Sequence, residues 1–190
     1  MEVYITDLSD VLDDSALISL YEEKMSDEDK ARYQKITDSH RKLEFLVGRS
    51  LIREVCQSDV HLSENGKPLV SDGYISLAHS GHFVVLAVDG EPVGIDIEDT
   101  QKEINFEQMS KRLKFNIENP TKESFFRAFT AYEADFKLGK EGVKQHLYYS
   151  INAFIICISI LNNNKNICFI KTIPFKIQKE ITIPILKEDI

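Results

Sequence analysis

The sequence predicts an α+β fold, because long helical patterns alternate with short strand patterns bounded by glycine turns. Apolar residues recur at helical spacing along residues 40–57 and 122–138, which predicts one long helix in each stretch. Short apolar runs at residues 74–77, 83–88 and 93–98 predict strands. The length of 190 residues is enough for one large core or two small ones.

The N-terminal elements follow from the same periodicities. They are a strand and three helices, at residues 1–5, 15–23, 27–36 and 40–57. Ser26 is followed by acidic residues in the first turn of the second helix, so we expect it to be an N-cap. The third helix carries Arg41, Arg49 and Arg53 opposite its apolar face.

Turns and further periodic segments complete the chain. Asp89-Gly90 predicts a hairpin turn that leads into residues 93–98. Beyond that strand, two helices are predicted at residues 109–115 and 122–138. Three strand-rich stretches follow at residues 148–161, 167–175 and 181–186. The pattern is compatible with two halves that meet near residue 92, although the halves share no visible sequence identity.

The formal net charge of −8 excludes a global basic footprint for nucleic acid or an anionic membrane. Residues 1–29 hold ten acidic side chains and one basic one, whereas residues 30–190 are close to neutral. The three cysteines form no CxxC pair, which is typical of a reducing compartment without a disulfide framework or zinc site. With no basic-then-apolar leader and no long apolar run, we expect a cytoplasmic protein with no membrane partner.

Two acidic side chains on one predicted strand are the first candidates for a functional site. Side chains two residues apart on a strand share a face, so Asp96 and Glu98 point one way while Ile95 and Ile97 point into the core. Adjacent carboxylates repel each other unless solvent or a cation separates them, and a hard cation such as Mg²⁺ suits them. The alternative is an exposed strand face with alternating acids.

Glu133 and Lys137 form an i, i+4 pair beside the apolar stripe of the predicted helix at residues 122–138. Glu133 is a candidate third carboxylate for the face that carries Asp96 and Glu98, with Lys137 placed to meet an anion. The alternative is an ordinary helix salt bridge, which contributes only a few tenths of a kcal/mol.

A histidine in a glycine-containing turn is a candidate phosphate ligand. His79 precedes Ser80-Gly81, and Lys67 lies in an earlier turn, so both side chains can donate hydrogen bonds to a phosphate. The alternative is a solvated loop histidine. The sequence contains no GxxxxGK[ST], GxGxxG, GxSxG or HExxH motif, which disfavours P-loop nucleotide hydrolases, dinucleotide domains, serine hydrolases and histidine zinc sites.

The order and separation of these motifs resemble those of the 4′-phosphopantetheinyl transferases, in particular the larger, surfactin-synthetase type. The resemblance is specific across about residues 65–142, and its motifs are Gly66-Lys67-Pro68, His79-Ser80-Gly81, Gly94-Ile95-Asp96-Ile97-Glu98 and residues 129–137. Three residues depart from the family pattern, and one of them is Asp29, which stands where family members often carry a basic residue. Tyr132 replaces a lysine before the motif's glutamate, and Ala78 replaces the first serine of the histidine motif.

The resemblance implies a fold of two halves related by a pseudo-two-fold axis, each a small antiparallel sheet packed on a long helix. By resemblance, residues 1–92 form the half that contacts the phosphates and adenine of coenzyme A. Residues 93–190 form the half with the metal site, the catalytic helix and the docking surface for the protein substrate. Family members of this type are usually monomeric, and we expect the same here.

The resemblance also implies roles for individual residues. Asp96, Glu98 and Glu133 would hold Mg²⁺, or Mn²⁺, against the pyrophosphate of coenzyme A. Glu133 would deprotonate the serine hydroxyl of the protein substrate, either directly or through a metal-bound water, and the catalytic set is Glu133, Lys137 and His79. The residues that would bind coenzyme A are Arg41, Lys67, Pro68, His79 and Lys137.

The implied reaction transfers 4′-phosphopantetheine from coenzyme A to a serine of an acyl or peptidyl carrier protein and releases 3′,5′-ADP. Carrier domains are small and acidic, so the basic stretch with Lys111, Arg112 and Lys114 is a candidate docking surface. The alternative is a helix with a core stripe and a solvated basic face. Arg49 and Arg53 are either further phosphate ligands or structural salt-bridge partners.

Two other functions fit the same residues. One is a different metal-dependent enzyme that acts on phosphoanhydrides, with Asp96 and Glu98 as its metal pair. The other is a non-catalytic module that binds carrier proteins or coenzyme A, which the departures at Tyr132 and Ala78 favour.

Overall fold

The chain forms six helices and ten strands over the residues that the computed structural model describes, which are 1–56, 60–63, 68–161, 166–173 and 177–181. The helices are α1 (Ser9–Leu12), α2 (Ser15–Lys24), α3 (Asp27–Tyr33), α4 (Ser39–Cys56), α5 (Phe106–Leu113) and α6 (Lys122–Leu138). The strands are β1 (Glu2–Asp7), β2 (His61–Leu62), β3 (Pro68–Leu69), β4 (Tyr74–Ser80), β5 (Phe83–Asp89), β6 (Val93–Asp99), β7 (Gln145–Ile151), β8 (Phe154–Ile160), β9 (Cys168–Ile173) and β10 (Ile177–Ile181). The predicted α+β class is confirmed.

Eight of these strands build two sheets. The first sheet has the order β10-β9-β1-β5-β4, in which β1 and β9 are parallel and all other neighbours are antiparallel. The second sheet, β6-β8-β7, is entirely antiparallel, and β2 and β3 form a separate short ribbon. The first sheet therefore draws strands from both ends of the chain, and the division at residue 92 stays a prediction.

The two sheets pack face to face around the main core. Successive side chains of a strand point to opposite faces, so Val3 and Ile5 of β1 enter this core while Tyr4 points away from it. From the second sheet, Ile95 and Ile97 of β6 enter the same core, as the sequence predicts. Burial of these apolar side chains holds the two sheets together.

A long helix covers the outer face of each sheet. On the first sheet, Leu51 of α4 packs in one cluster with Tyr4 and Leu86. On the second sheet, Ala134 of α6 packs in one cluster with Cys157 of β8. The layers therefore follow the order helix, sheet, sheet, helix, which is the arrangement that two similar halves would give.

Helix α6 lies directly against strand β6 at Gly94. A Cβ atom at this position would lie 1.9 Å from the carbonyl oxygen of Ala134 and 2.7 Å from the amide nitrogen of Leu138. Only glycine permits so close an approach of the two backbones. This contact sets the distance between the side chains of α6 and those of β6.

Two serines of β4 join the first sheet to β6. The Ile95 N–H donates to Ser76 Oγ at 3.0 Å, and the Asp99 N–H donates to Ser80 Oγ at 3.1 Å. Ala78 lies between these serines on the same strand face and is buried in the core between the sheets. The departure from the family serine at Ala78 therefore falls in the contact between the sheets.

One strand prediction needs correction. Asp89-Gly90 does not make a hairpin, because β5 pairs with β1 and β4 whereas β6 pairs with β8. The strand-rich stretch predicted at residues 148–161 is a hairpin of β7 and β8, with Asn152 in the left-handed conformation at its turn. The strand predicted at residues 181–186 lies, beyond Ile181 of β10, outside the described residues.

The predicted N-cap of α3 is confirmed, since the Asp29 N–H donates to Ser26 Oγ at 3.2 Å. Helix α6 begins with a capping box between Thr121 and Ser124 and ends at Gly139, which adopts the left-handed conformation. In the described part of the chain, no helix is both long enough and apolar enough to cross a bilayer.

Candidate active site

Asp96 is a buried carboxylate on the face of β6 that α6 covers. It is 5% exposed, so the alternative of an exposed acidic strand face is wrong. Its Oδ1 accepts a hydrogen bond from Lys137 Nζ at 2.6 Å, whereas its Oδ2 is buried and has no hydrogen-bond partner among the described residues. Burial raises the pKa of Asp96 to about 6, and the Lys137 ammonium acts in the opposite direction.

Two further carboxylates lie within electrostatic reach of Asp96. The negative charges of Glu98 and of the half-buried Glu133 both raise the pKa of Asp96. Glu98 Oε2 accepts hydrogen bonds from Lys102 Nζ at 2.6 Å and from Ser80 Oγ at 3.2 Å. Asp96 and Glu98 thus share one face of β6, and Glu133 of α6 is near enough to act on Asp96 electrostatically.

The donor set fits a hard divalent cation. Mg²⁺ and Mn²⁺ favour carboxylate oxygens, and the unpartnered Asp96 Oδ2 is an oxygen that a cation would satisfy. Within the described ranges, however, no group of three or more His, Cys, Asp or Glu side chains is arranged to hold a metal ion. Asp96 and Glu98 instead each face a lysine ammonium, which a bound cation would have to displace.

We expect Lys102→Met to strengthen Mn²⁺ binding about fivefold, because an exposed ion pair of this kind is worth ~1 kcal/mol. The substitution removes the ammonium group that competes for Glu98 and keeps most of the aliphatic side chain. Titration with Mn²⁺ followed by electron paramagnetic resonance measures free and bound ion directly. Lys111→Met, at an exposed position on α5, is the control, and equal affinity of Lys102→Met and the wild-type protein would contradict the metal assignment.

A cleft of about 1180 Å³ lies between α4 and β4 on one side and the C-terminal end of α6 on the other. Its walls contain four of the residues that the resemblance assigns to coenzyme A, which are Arg41, Pro68, His79 and Lys137. The fifth, Lys67, lies outside the described residues. The three carboxylates do not line the cleft, but Lys137 does, and its ammonium connects the cleft to Asp96.

The cleft has the chemical character of a site for a large anionic ligand. Its cationic side chains are Lys35, Arg41, Arg49 and Lys137, against the carboxylates of Asp38 and Glu44. The main apolar side chains of its walls are Ile36, Phe45, Ile75, Leu77 and Phe136. Phosphates would meet the cations, while an aromatic ring or an aliphatic arm would find apolar surface.

His79 lies on strand β4 and not in the predicted turn, which is formed by Gly81-His82. Its Nδ1 is 3.2 Å from Glu44 Oε1, while 51% of its side chain is exposed. The alternative is therefore wrong about a loop, but the histidine is open to solvent as that alternative expects. Sequence reasoning missed Glu44, which is buried on α4. The available signal was an acidic residue within the apolar face that Leu43, Val47 and Leu51 define.

The sequence left open whether Arg49 and Arg53 are phosphate ligands or structural salt-bridge partners, and in the structure both form salt bridges with Asp29. Asp29 Oδ1 is 3.3 Å from Arg49 Nε, and Asp29 Oδ2 is 3.8 Å from Arg53 Nη2. Arg49 also lines the cleft, and burial lowers the pKa of its guanidinium. Both arginines therefore tie α4 to α3, and Arg49 adds positive charge to the cleft wall.

The basic residues of the predicted docking surface are exposed near the C-terminal end of α5. Lys111 and Arg112 belong to its last turn, and Lys114 caps it in the left-handed conformation. The apolar side of α5 packs against α6 through Met109 and Leu113. This arrangement is compatible with docking and with the alternative of a solvated basic face, so docking stays a prediction.

No protein-family model matches the chain. Among curated proteins, it is 38% identical over 82 residues to the 4′-phosphopantetheinyl transferase Sfp of Bacillus subtilis (strain 168), covering 37% of this chain and 35% of that protein. It is 30% identical over 139 residues to the 4′-phosphopantetheinyl transferase gsp of Aneurinibacillus migulanus, covering 66% of this chain and 57% of that protein. The resemblance to the 4′-phosphopantetheinyl transferases is confirmed.

A third 4′-phosphopantetheinyl transferase, ffp of Bacillus subtilis, is 40% identical over 77 residues, covering 35% of this chain and 34% of that protein. The chain thus spans between about a third and somewhat over half of the length of these transferases. Their activity, substrates and partners therefore come to this chain only as proposals.

Proposed function

We propose that this chain transfers the 4′-phosphopantetheine group of coenzyme A to a serine hydroxyl of an acyl or peptidyl carrier protein and releases 3′,5′-ADP. The observation that carries the proposal is the position of Lys137. It donates to the buried Asp96 and also lines the cationic cleft, so it joins a carboxylate cluster to an anion site. The names of the relatives support the same class of reaction.

Both predicted halves contribute to the proposed site. Residues 1–92 supply the cleft wall formed by α4 and β4, where Arg41 and His79 would contact coenzyme A. Residues 93–190 supply the carboxylates of β6 and the catalytic helix α6. A single chain therefore holds every residue that the proposal uses, which favours a monomer as the working unit.

The positive groups of the cleft would bind and orient coenzyme A. Displacement at a charged phosphorus depends on positioning and on neutralisation of negative charge more than on covalent chemistry. Arg41, Lys67, His79 and Lys137 would donate to the phosphates, with Pro68 in the adjoining wall. When bound, a divalent cation held by Asp96, Glu98 and Glu133 would supply further positive charge next to the pyrophosphate.

Glu133 would act as the general base. Its carboxylate accepts the proton of the carrier serine, and the serine oxygen forms a bond to the β-phosphorus of coenzyme A. The bond between that phosphorus and the bridging oxygen breaks, and 3′,5′-ADP leaves with the electron pair. The proton then passes from Glu133 to solvent, and Lys137 offsets the charge that develops on the phosphate oxygens.

The carrier protein would dock near the exposed Lys111, Arg112 and Lys114. Carrier domains are acidic, so these side chains would attract them and raise the rate of encounter. The contribution of this surface should fall at high salt, because exposed charges are screened.

Mass spectrometry of an apo carrier protein tests the proposed transfer. Incubated with this protein, coenzyme A and Mg²⁺, the carrier should gain the mass of one phosphopantetheine group, and a carrier with alanine at the acceptor serine should gain nothing. A coenzyme A complex that modifies none of several carriers would instead support a binding module. Breakdown of coenzyme A without modification of any carrier would support a different phosphoanhydride enzyme.

A further inference from the structure

A buried carboxylate connects two histidines at the wall of the cleft. Glu44 of α4 is 7% exposed. Its Oε1 lies 3.2 Å from Nδ1 of His79 and 3.4 Å from Nε2 of His40. Nε2 of His40 also lies 2.6 Å from the carbonyl oxygen of Gly81, just beyond the end of β4. Glu44 and His79 both line the cleft.

The acceptors in this cluster determine where the ring protons lie. An ionised carboxylate and a carbonyl oxygen only accept hydrogen bonds, so each ring nitrogen that faces them must carry a hydrogen. These contacts favour a ring hydrogen on Nε2 of His40, which faces the Gly81 carbonyl, and on Nδ1 of His79, which faces Glu44. A buried carboxylate with no positive or N–H group beside it would be strongly unfavourable, so the nearby imidazoles offset the burial of Glu44.

The contact with Glu44 leaves one nitrogen of His79 for a ligand. The hydrogen bond at one ring nitrogen of a histidine sets the state of the other and the orientation of the ring. Since Nδ1 is engaged by Glu44, Nε2 is the nitrogen that remains for a group in the cleft. The contact from His40 to Gly81 joins the same cluster to the end of β4, since Nε2 of His40 also lies 3.4 Å from Glu44 Oε1.

We propose that Glu44 is a positioning residue for His79, which holds its Nδ1 proton and directs its Nε2 to an anionic group bound in the cleft. The inference rests on the proposed function in naming that group as a phosphate of coenzyme A. Glu44 also lines the cleft, but its proposed role does not require contact with the ligand. Its effect is exerted through the tautomer and orientation of the imidazole.

The tautomer of His79 in the neutral ring is measured from the ¹⁵N chemical shifts of its two ring nitrogens. In the wild-type protein we expect the proton on Nδ1. Glu44→Gln, which keeps an amide oxygen as acceptor, should preserve this tautomer, whereas Glu44→Leu should release it. A wild-type His79 with its proton on Nε2 overturns the inference, and this result does not depend on whether any variant folds.

Calorimetric titration with coenzyme A measures the consequence for binding. Glu44→Leu should weaken the affinity about tenfold, the effect of one hydrogen bond to a charged group, and Glu44→Gln should weaken it less. Glu107→Gln, the same change at an exposed position of α5, should leave the affinity unchanged. Equal affinity of Glu44→Leu and wild type overturns the positioning role. Failure of the wild-type protein to bind coenzyme A would instead refute the proposed function, while the ¹⁵N shifts still decide the tautomer.

Discussion

Asp96→Asn is expected to lower the rate of phosphopantetheine transfer about 10²–10³-fold, the range for loss of one preorganised group that stabilises charge. The amide has the shape of the carboxylate but no negative charge. Lys137 would lose the ionic partner that holds it between the carboxylates and the cleft, and the proposed cation would lose its most buried ligand. The initial rate of holo-carrier formation, followed by mass spectrometry, measures the effect.

The loss in Asp96→Asn should not come from unfolding. Burial already raises the pKa of Asp96, which means that the site favours an uncharged side chain. We therefore expect its thermal unfolding midpoint to equal or exceed that of the wild-type protein. Asp99→Asn is the matched control on the opposite face of β6 and should retain activity. Full activity of Asp96→Asn at saturating Mg²⁺ would contradict the assigned role.

Gly94→Ala is expected to destabilise the protein by about 3 kcal/mol or more, at or beyond the usual upper limit for overpacking a core. The new methyl group would lie 1.9 Å from the carbonyl oxygen of Ala134, which is a backbone atom and has no rotamer to escape into. Helix α6 would have to move away from β6 as a unit. Urea unfolding measures the free energy, and reduced soluble yield would be the first sign.

Gly90→Ala is the control for this substitution, because a Cβ at Gly90 would meet nothing within 4 Å. Its free energy of unfolding should lie within about 0.5 kcal/mol of wild type, as for most surface changes. Should Gly94→Ala unfold at the same urea concentration as Gly90→Ala, the close approach of α6 to β6 would be refuted, and with it the placement of Lys137 beside Asp96.

Periodicity in the sequence was sufficient for the elements whose burial is one-sided or complete. The apolar face of α4 and the stripe of α6 repeat over several turns, so both helices are predicted within one or two residues of their ends. Strand β8 is buried on both faces, and its uninterrupted apolar run is typical of such strands. These signals are local, which is why they can be recognised without the tertiary structure.

The pairing between strands could not be predicted from such local patterns. Asp89-Gly90 has the composition of a hairpin turn, yet β6 leaves the first sheet and pairs with β8, more than fifty residues later. The choice depends on the core between the sheets and on the serines that join β4 to β6. No pattern within a window around residue 90 contains that information.

The candidate site likewise has features that the sequence predicts and features that depend on tertiary contacts. The motif residues could be named from their order in the sequence, through the family resemblance. Two salt bridges depend instead on how closely separate parts of the chain approach each other. They join Lys137 to Asp96 and Lys102 to Glu98. Glu44 was missed because a single acid in a helical face is usually solvated, whereas in the structure it is buried with two histidines beside it.

Double-labelled coenzyme A tests the central claim most directly, since the reaction divides the molecule at its pyrophosphate. With one isotope in the pantetheine arm and another in the adenine, incubation with Mg²⁺ and an apo carrier should place the first label on the carrier. The second label should be released as 3′,5′-ADP, with one molecule of 3′,5′-ADP for each pantetheine arm attached to the carrier. Separation of the two labels with neither on the carrier, or no separation at all, would contradict the account.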